Sequence, residues 1–176
     1  MNTNTKQLAT NGLLLAIGFL LHYITPAIGL PMQIDFSLIT LILIVSLNKG
    51  NFGSCISAGI ATGIFSGLTT KFPMGQVPNI IDKIVTTVAV YMLIKLLDKT
   101  SLSNKVKAIA VNAVGTIVSG TVFLVSALIL VGLPTPFGLL FVSVVLPAIA
   151  VNTVAGLLID SLFEKYRGRE NETYRK

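Results

Sequence analysis

Long apolar segments separated by short polar connections run along the whole chain. Six such segments cover about residues 8–28, 34–48, 52–69, 78–97, 105–131 and 137–163. A helix needs about 20 mostly apolar residues to cross a bilayer, and an unpaired strand cannot satisfy its backbone in lipid. The pattern therefore predicts an all-α, polytopic integral membrane protein, built as a bundle of six transmembrane helices.

The composition supports this prediction. Of the 176 residues, 53% are hydrophobic and 11% are charged, and the mean hydropathy is +0.83. A soluble domain has roughly 25% charged residues, so this chain has too few charges to cover a surface that faces water. We expect a single transmembrane domain over residues 1–176, which ends in a short polar tail at 164–176.

The basic residues predict how the helices are oriented. One side of the predicted bundle carries most of the 13 Lys and Arg residues, namely Lys6, Lys49, Lys95, Lys99, Lys105, Lys107, Lys165, Arg167, Arg169, Arg175 and Lys176. The other side carries only Lys71 and Lys83. Because Lys and Arg accumulate in cytoplasmic loops, both termini are expected in the cytoplasm. The net charge of +6 is then a topology signal, and no nucleic acid partner is expected.

The strongest functional signal lies at the start of the fourth segment, around Gln76 and Pro78. Asn79, Asp82 and Lys83 follow at spacings that place an amide, a carboxylate and an ammonium group on one helix face. Ionisable groups inside a membrane are costly and usually functional. Since Asp82 and Lys83 differ by about 100° around the helix, they are expected to flank a ligand. The alternative is a pair that extends its charges to the membrane interface.

Other polar or aromatic residues inside the apolar segments are weaker candidates. His22 is either a structural group or a ligand contact, and Asp35 either caps the second helix or helps to receive a cation. Asn152 lies in the middle of the sixth segment, where an amide usually bonds across helices. Phe123 is a candidate for an aromatic wall.

A pair of small residues, Gly12 and Ala16, lies on one face of the first segment. Small residues four positions apart let two helices approach closely. This face serves either internal packing or docking of a partner helix.

Several motifs of catalysis are missing from the sequence. It has no Gly-rich phosphate-binding loop, no nucleophile–base–carboxylate set around its single histidine, and no cluster of metal ligands. We therefore expect no enzymatic activity, no cofactor and no metal site.

Several blocks of the sequence carry a resemblance to a known family. They are Gly12–Gly18 followed by His22 and Pro26, the central block Ser66–Lys83, and the later blocks Gly115–Phe123 and Val131–Phe137. These blocks resemble the tryptophan-uptake proteins of bacteria, which are similar to the substrate-binding S components of energy-coupling-factor (ECF) transporters. The resemblance covers most of the chain.

The resemblance implies a six-helix bundle that captures L-tryptophan from outside the cell. It also implies docking on an ECF membrane coupling subunit, which carries two ATPase subunits. The family's docking motif in the first helix has two alanines, where this chain has Gly12 and Ala16.

In this hypothesis, Asp82 or Asp35 would hold the α-ammonium group of the substrate and Lys83 its carboxylate. The pocket residues Asn79, Gln76 and Phe123 would complete the site, with Asn152, Asn79 or His22 accepting the indole N–H. Two alternatives remain open: an S component for a vitamin or related heteroaromatic, and a structural or assembly protein whose polar residues only pack helices.

Overall fold

The structure, a computed structural model, describes residues 3–27 and 32–173, with side chains for 5–27 and 32–162. The described residues form helices and no strand. The end of the predicted first segment and the last three residues of the tail lie outside the described residues. The helices are α1 (Thr3–Ile24), α2 (Ser37–Leu47), α3 (Phe52–Thr69), α4 (Gln76–Leu97), α5 (Asn104–Leu130) and α6 (residues 137–173).

The observed helices follow the predicted segments, with two informative differences. Helix α1 ends at Ile24, earlier than predicted, because Pro26 cannot donate a helical hydrogen bond and disfavours helical backbone at the residue before it. Helix α2 begins only at Ser37, although the apolar pattern predicted a start near residue 34. The side chain of Asp35 accepts a hydrogen bond from the backbone N–H of Ser37 and so fixes where this helix begins.

Helix α2 forms the centre of the bundle. It packs against α1, α3, α4, α5 and α6, and every residue from Ser37 to Val45 is buried. A helix that is apolar on all sides is stable only when it is surrounded by protein or lipid. Its 11 residues span about 16 Å, about half the thickness of a bilayer core.

Glycines bring α3 and α4 into close contact. A Cβ atom added at Gly63 would lie 2.9 Å from the Cα of Ile80, and one at Gly67 would lie 3.0 Å from the carbonyl oxygen of Gln76. Side chains at these positions would push the helices apart, so the small residues of α3 serve internal packing. This contact fixes the position of the first turns of α4, which carry Asn79 and Asp82.

Helix α6 contains one widened turn. Residues Phe137–Leu140 are α-helical, Phe141–Val145 are π-helical, and Leu146–Thr173 are α-helical again. Pro147 lacks an N–H group and so cannot complete the regular hydrogen-bond ladder. Such widened turns occur often at functional sites, and Val144 and Val145 of this turn line the cavity described below.

The outer faces of the helices are strongly apolar. Leu8, Leu68 and Ile129 are each more than 70% exposed, whereas a soluble monomer rarely exposes large apolar patches. Among the described residues, the helices that are long and apolar enough to cross a membrane are Thr5–Ile24, Phe52–Thr69, Asn104–Leu130 and Phe137–Leu162. These features are those of a multi-pass membrane protein, while the count of six spans stays a prediction.

The bundle has two chemically different ends. We call the end with the α1–α2, α3–α4 and α5–α6 connections the upper end, and the opposite end the lower end. At the lower end, Nζ of Lys49 donates to Oδ2 of Asp98 at 2.7 Å. This hydrogen bond holds the pKa of the exposed Asp98 carboxyl below its ordinary value. The candidate site lies towards the upper end.

Candidate functional site

A cavity of about 540 Å³, including its part open to solvent, lies between the helices in the upper half of the bundle. Its wall combines polar groups with an apolar surface. The lining residues are His22, Met32, Gln33, Ile34, Asp35, Leu38, Thr70, Phe72, Asn79, Asp82, Thr116, Ser119, Gly120, Phe123, Val144, Val145, Ala148 and Asn152.

A cluster of three charged groups lies beside this cavity. Lys83 is 1% exposed, and its ammonium group contacts the carboxylates of both Asp82 and Asp35, the latter at 2.5 Å. It also donates to Oγ of Ser119 at 3.3 Å. The cluster therefore holds two carboxyl groups against one ammonium group. A buried site with this balance favours an additional cation, because an unpaired buried charge is very costly.

The prediction that Asp82 and Lys83 flank a ligand stays a prediction, and here the two side chains contact each other. The Lys83 ammonium binds the Asp82 carboxylate directly, and Lys83 is not among the residues that line the cavity. The long, flexible lysine stem bridges the 100° offset between neighbouring helical positions, which spacing alone does not reveal. The same contacts place Lys83 in a buried cluster, which disfavours the alternative of a pair that extends its charges to the membrane interface.

Neighbouring hydroxyl groups fix the orientation of the Asp82 carboxylate. Its Oδ1 accepts from Thr86 at 2.9 Å, and its Oδ2 accepts from Ser119 at 2.9 Å. The first contact is within α4, and the second joins α4 to α5. A carboxylate held from two sides loses little freedom on binding a ligand, so Asp82 is preorganised.

The Asp35 carboxylate is held just as firmly from the other side of the cluster. Its Oδ1 accepts from both the backbone N–H and the hydroxyl of Ser37, at 2.9 and 2.5 Å. The Ser37 hydroxyl in turn lies 2.9 Å from that of Ser66 on α3. Asp35 thus holds the backbone at the start of α2 and lines the cavity, while its help in receiving a cation stays a prediction.

His22 is a buried member of the same wall. Its Nδ1 lies 2.6 Å from Oγ1 of Thr69, and that hydroxyl already donates to the carbonyl of Phe65 at 2.7 Å. A hydroxyl has one hydrogen to donate, so Nδ1 of His22 is the donor to Thr69. Its Nε2 faces Asp35 at 3.9 Å. His22 is therefore both a structural group and a residue of the cavity wall.

The structure brings together most of the residues that the sequence singled out. His22, Asp35, Asn79, Asp82, Phe123 and Asn152 all line the cavity. Gln76 is exposed and does not line it, so we leave Gln76 out of the proposed site. Gly12 and Ala16 lie on an exposed face of α1, away from the cavity.

Several polar residues of the wall were not selected from the sequence, among them Gln33, Thr116 and Ser119. Gln33 is buried, and its Nε2 donates to the carbonyl of His22 at 2.6 Å. Thr116 and Ser119 on α5 contact Asn152 and Asp82. Ser and Thr in membrane helices often bond their own backbone, so only their three-residue spacing on one helix face could have indicated them.

An aromatic pair contributes to the apolar part of the wall. The rings of Phe72 and Phe123 meet edge to face, with their centroids 5.4 Å apart. Together with Val144 and Val145 they form a surface suited to a flat apolar group. The cavity thus combines anionic groups with an aromatic surface, as expected of a membrane protein that takes up a small amphipathic molecule.

The comparisons with known proteins agree with a membrane protein that takes up a small molecule. The profile of the family described as "Tryptophan transporter TrpP" matches residues 4–167. A probable tryptophan transport protein of Clostridium perfringens is 45% identical over an alignment of 173 residues that covers 94% of each chain. Its counterpart of Clostridium acetobutylicum is 46% identical over 159 residues, covering 90% of this chain and 92% of the relative.

A third relative, the probable tryptophan transport protein of Bacillus subtilis, is 45% identical over 156 residues, which are 88% of each chain. No solved structure shows a significant match. The chain is thus a multi-pass membrane protein of the transport class. It belongs to the TrpP tryptophan transporter family, which confirms the resemblance found in the sequence.

Proposed function

We propose that the protein is the substrate-binding S component of an ECF-type importer and captures L-tryptophan from outside the cell. The observation that carries this proposal is the pair of carboxylates, Asp35 and Asp82, that line one cavity and share a single buried cation. Its family membership agrees with tryptophan as the substrate.

The α-ammonium group of the substrate is proposed to bind between Asp35 and Asp82. Its positive charge would neutralise the excess negative charge of the cluster, which is the electrostatic reason for binding. Lys83 would then hold the two carboxylates in place, since its ammonium already contacts both of them and Ser119. This role replaces the one expected from spacing, in which Lys83 received the substrate carboxylate.

The substrate carboxylate is proposed to stay at the upper side of the cavity. Thr70 follows the end of α3, and Asn79 lies in the first turn of α4, so these polar groups are nearest to the α3–α4 connection. There the carboxylate keeps contact with water, which avoids the cost of burying a second charge. The aromatic ring would pack against Phe72 and Phe123.

Partner docking is proposed for the exposed face of α1. Gly12 and Ala16 are both exposed, and a Cβ added at Gly12 would have no atom outside its own helix within 4 Å. This exposure favours docking of a partner helix over internal packing. The partner would be the ECF membrane coupling subunit with its two ATPase subunits, which would hydrolyse ATP in place of this chain.

In this proposal the single domain crosses the bacterial plasma membrane six times, with both termini in the cytoplasm. The upper end, where the cavity lies, then faces the outside. Lys49 and the other basic residues of the lower end then face the cytoplasm, as the positive-inside rule requires.

A thermal-shift screen of the detergent-purified chain against amino acids and vitamins tests the proposal. Tryptophan should raise the melting temperature, because a ligand that binds only the folded state stabilises it. Stabilisation by a vitamin alone would indicate an S component for another substrate. No stabilisation by any compound would favour a structural or assembly protein.

A further inference from the structure

Two buried oxygen atoms in the cavity wall have no partner among the described residues, Oε1 of Gln33 and Oδ1 of Asn152, and the second lies beside the apolar part of the wall. Asn152 is 1% exposed and lines the cavity, and its Oδ1 accepts no hydrogen bond there. Buried polar atoms are nearly always hydrogen-bonded, and leaving one without a partner costs stability. An acceptor of this kind in a ligand cavity indicates that the ligand supplies the missing donor.

The hydrogen bonds around Asn152 determine which end of its amide is free. Its Nδ2 lies 3.3 Å from Oγ1 of Thr116, and the Thr116 hydroxyl donates to the backbone carbonyl of Asn112 at 2.8 Å. Because a hydroxyl has one hydrogen, Thr116 can only accept from Asn152. The amide nitrogen is therefore committed to Thr116, and the oxygen is the atom left for a ligand.

Asn152 lies deeper in the bundle than the carboxylates. Helix α5 contacts Asp82 through Ser119 and Asn152 through Thr116, and these two residues are about 4.5 Å apart along the helix axis. Val145 and Ala148, earlier in α6, line the same cavity. A neutral acceptor beside an apolar wall suits a neutral N–H group, whereas an ammonium group is better matched by Asp35 and Asp82.

The other acceptors considered from the sequence are less suitable for such a group. His22 bonds Thr69 through Nδ1 and directs Nε2 towards Asp35, beside the proposed ammonium position. Asn79 lies about one turn nearer the upper end than Asp82, where we place the substrate carboxylate. Oε1 of Gln33, the other oxygen of the wall without a partner, belongs to a side chain in the segment before α2 that bonds the carbonyl of His22. It therefore lies towards the upper end, and Asn152 remains as the deep acceptor.

We infer that Oδ1 of Asn152 accepts a hydrogen bond from the ring N–H of a heteroaromatic amino acid and so selects indole over rings that lack this donor. The inference rests on the proposed function and assigns the specificity-determining residue of that site. Thr116 is the positioning residue, because it holds the Asn152 amide in the productive orientation. A site built to bond a polar group rejects an analogue that lacks the group, since its own buried atom is then left unpaired.

The test compares tryptophan with its benzothiophene analogue, in which a sulfur atom that cannot donate a hydrogen bond replaces the ring N–H. Isothermal titration of the purified native chain should give an affinity for tryptophan about tenfold or more above that for the analogue. In Asn152→Leu the ratio of the two affinities should fall close to one. Thr116→Val should reduce the ratio as well, because the amide loses the group that orients it.

Thr153→Val is the matched control. Thr153 is the next residue on the same helix, its buried hydroxyl also lacks a partner in the described part of the chain, and it does not line the cavity. The ratio should therefore keep its native value in Thr153→Val.

Equal affinities of the native chain for both compounds would overturn the inference and leave the proposed function intact. An affinity ratio that keeps its native value in Asn152→Leu would also overturn it, since another residue would then accept the hydrogen bond from the ring N–H. Binding of neither compound would reject the proposed function itself. If Asn152→Leu does not fold, the inference is tested by the affinity ratio of the native chain and by its decrease in Thr116→Val. An unchanged ratio in Thr116→Val would then overturn it.

Discussion

Nζ of Lys83 lies 2.5 Å from Oδ2 of Asp35, and this ion pair joins the segment before α2 to the second turn of α4. The same ammonium contacts Asp82 and Ser119, so one lysine connects three separate elements around the cavity. A buried lysine with several partners has a structural role, and removal of one partner leaves other charges without compensation.

Lys83→Met should therefore lower the melting temperature of the purified protein as well as its tryptophan affinity. Two carboxylates would remain buried without their cation, and breaking such a pair costs about 3–5 kcal/mol. The double variant Asp82→Asn with Lys83→Met should recover part of the lost melting temperature, because one of the stranded charges is gone. A single variant as stable as the native chain would contradict the structural role of Lys83.

Asp35→Asn and Asp82→Asn should each weaken tryptophan binding by about 2–5 kcal/mol, the range for loss of one partner of a buried charge pair. Isothermal titration measures this change. Asp98→Asn is the matched control, since Asp98 also pairs with a lysine but lies outside the cavity at the lower end. Equal losses in all three variants would show that the effect is not specific to the site.

Ligand fragments separate the two possible roles of Lys83. Tryptamine keeps the ammonium group that Asp35 and Asp82 are proposed to bind, whereas indole-3-propionate keeps only the carboxylate. We expect tryptamine to bind more tightly by at least about tenfold, because the cluster has an excess of negative charge. The opposite order in a competition assay would restore Lys83 as the partner of the substrate carboxylate.

Gly12→Leu and Ala16→Leu should abolish ATP-driven uptake in cells while the purified chain still binds tryptophan. A large side chain on this exposed face prevents close approach of a partner helix but does not reach the cavity. Ala150→Leu, at an exposed alanine of α6, should leave both properties unchanged. Loss of binding together with uptake would indicate that the α1 face serves internal packing.

Cysteine labelling in intact cells tests the orientation of the bundle. Met74→Cys at the upper end should react with a membrane-impermeant thiol reagent, and Ser103→Cys at the lower end should not. The background is low, because the native Cys55 is buried. Reaction at position 103 alone would reverse the proposed topology.

The sequence alone determined the elements of this protein, because apolar periodicity and proline act locally. Helix α3 has the predicted bounds, and α4, α5 and the start of α6 agree with prediction to within two residues. The spacing of Asn79 and Asp82 correctly placed both side chains on one buried helix face.

The tertiary structure decided how these side chains pair. The contact of Lys83 with Asp35 joins residues 48 positions apart, and that of Asn152 with Thr116 joins residues 36 apart. No local pattern encodes such contacts, since they depend on which helix faces meet. For the same reason the sequence left Asp35, His22 and Asn152 as open alternatives. The packing of α4, α5 and α6 around one cavity places the Asp82 carboxylate, proposed to bind a cation, nearer the upper end. It places Oδ1 of Asn152, which has no donor among the described residues, deeper in the bundle.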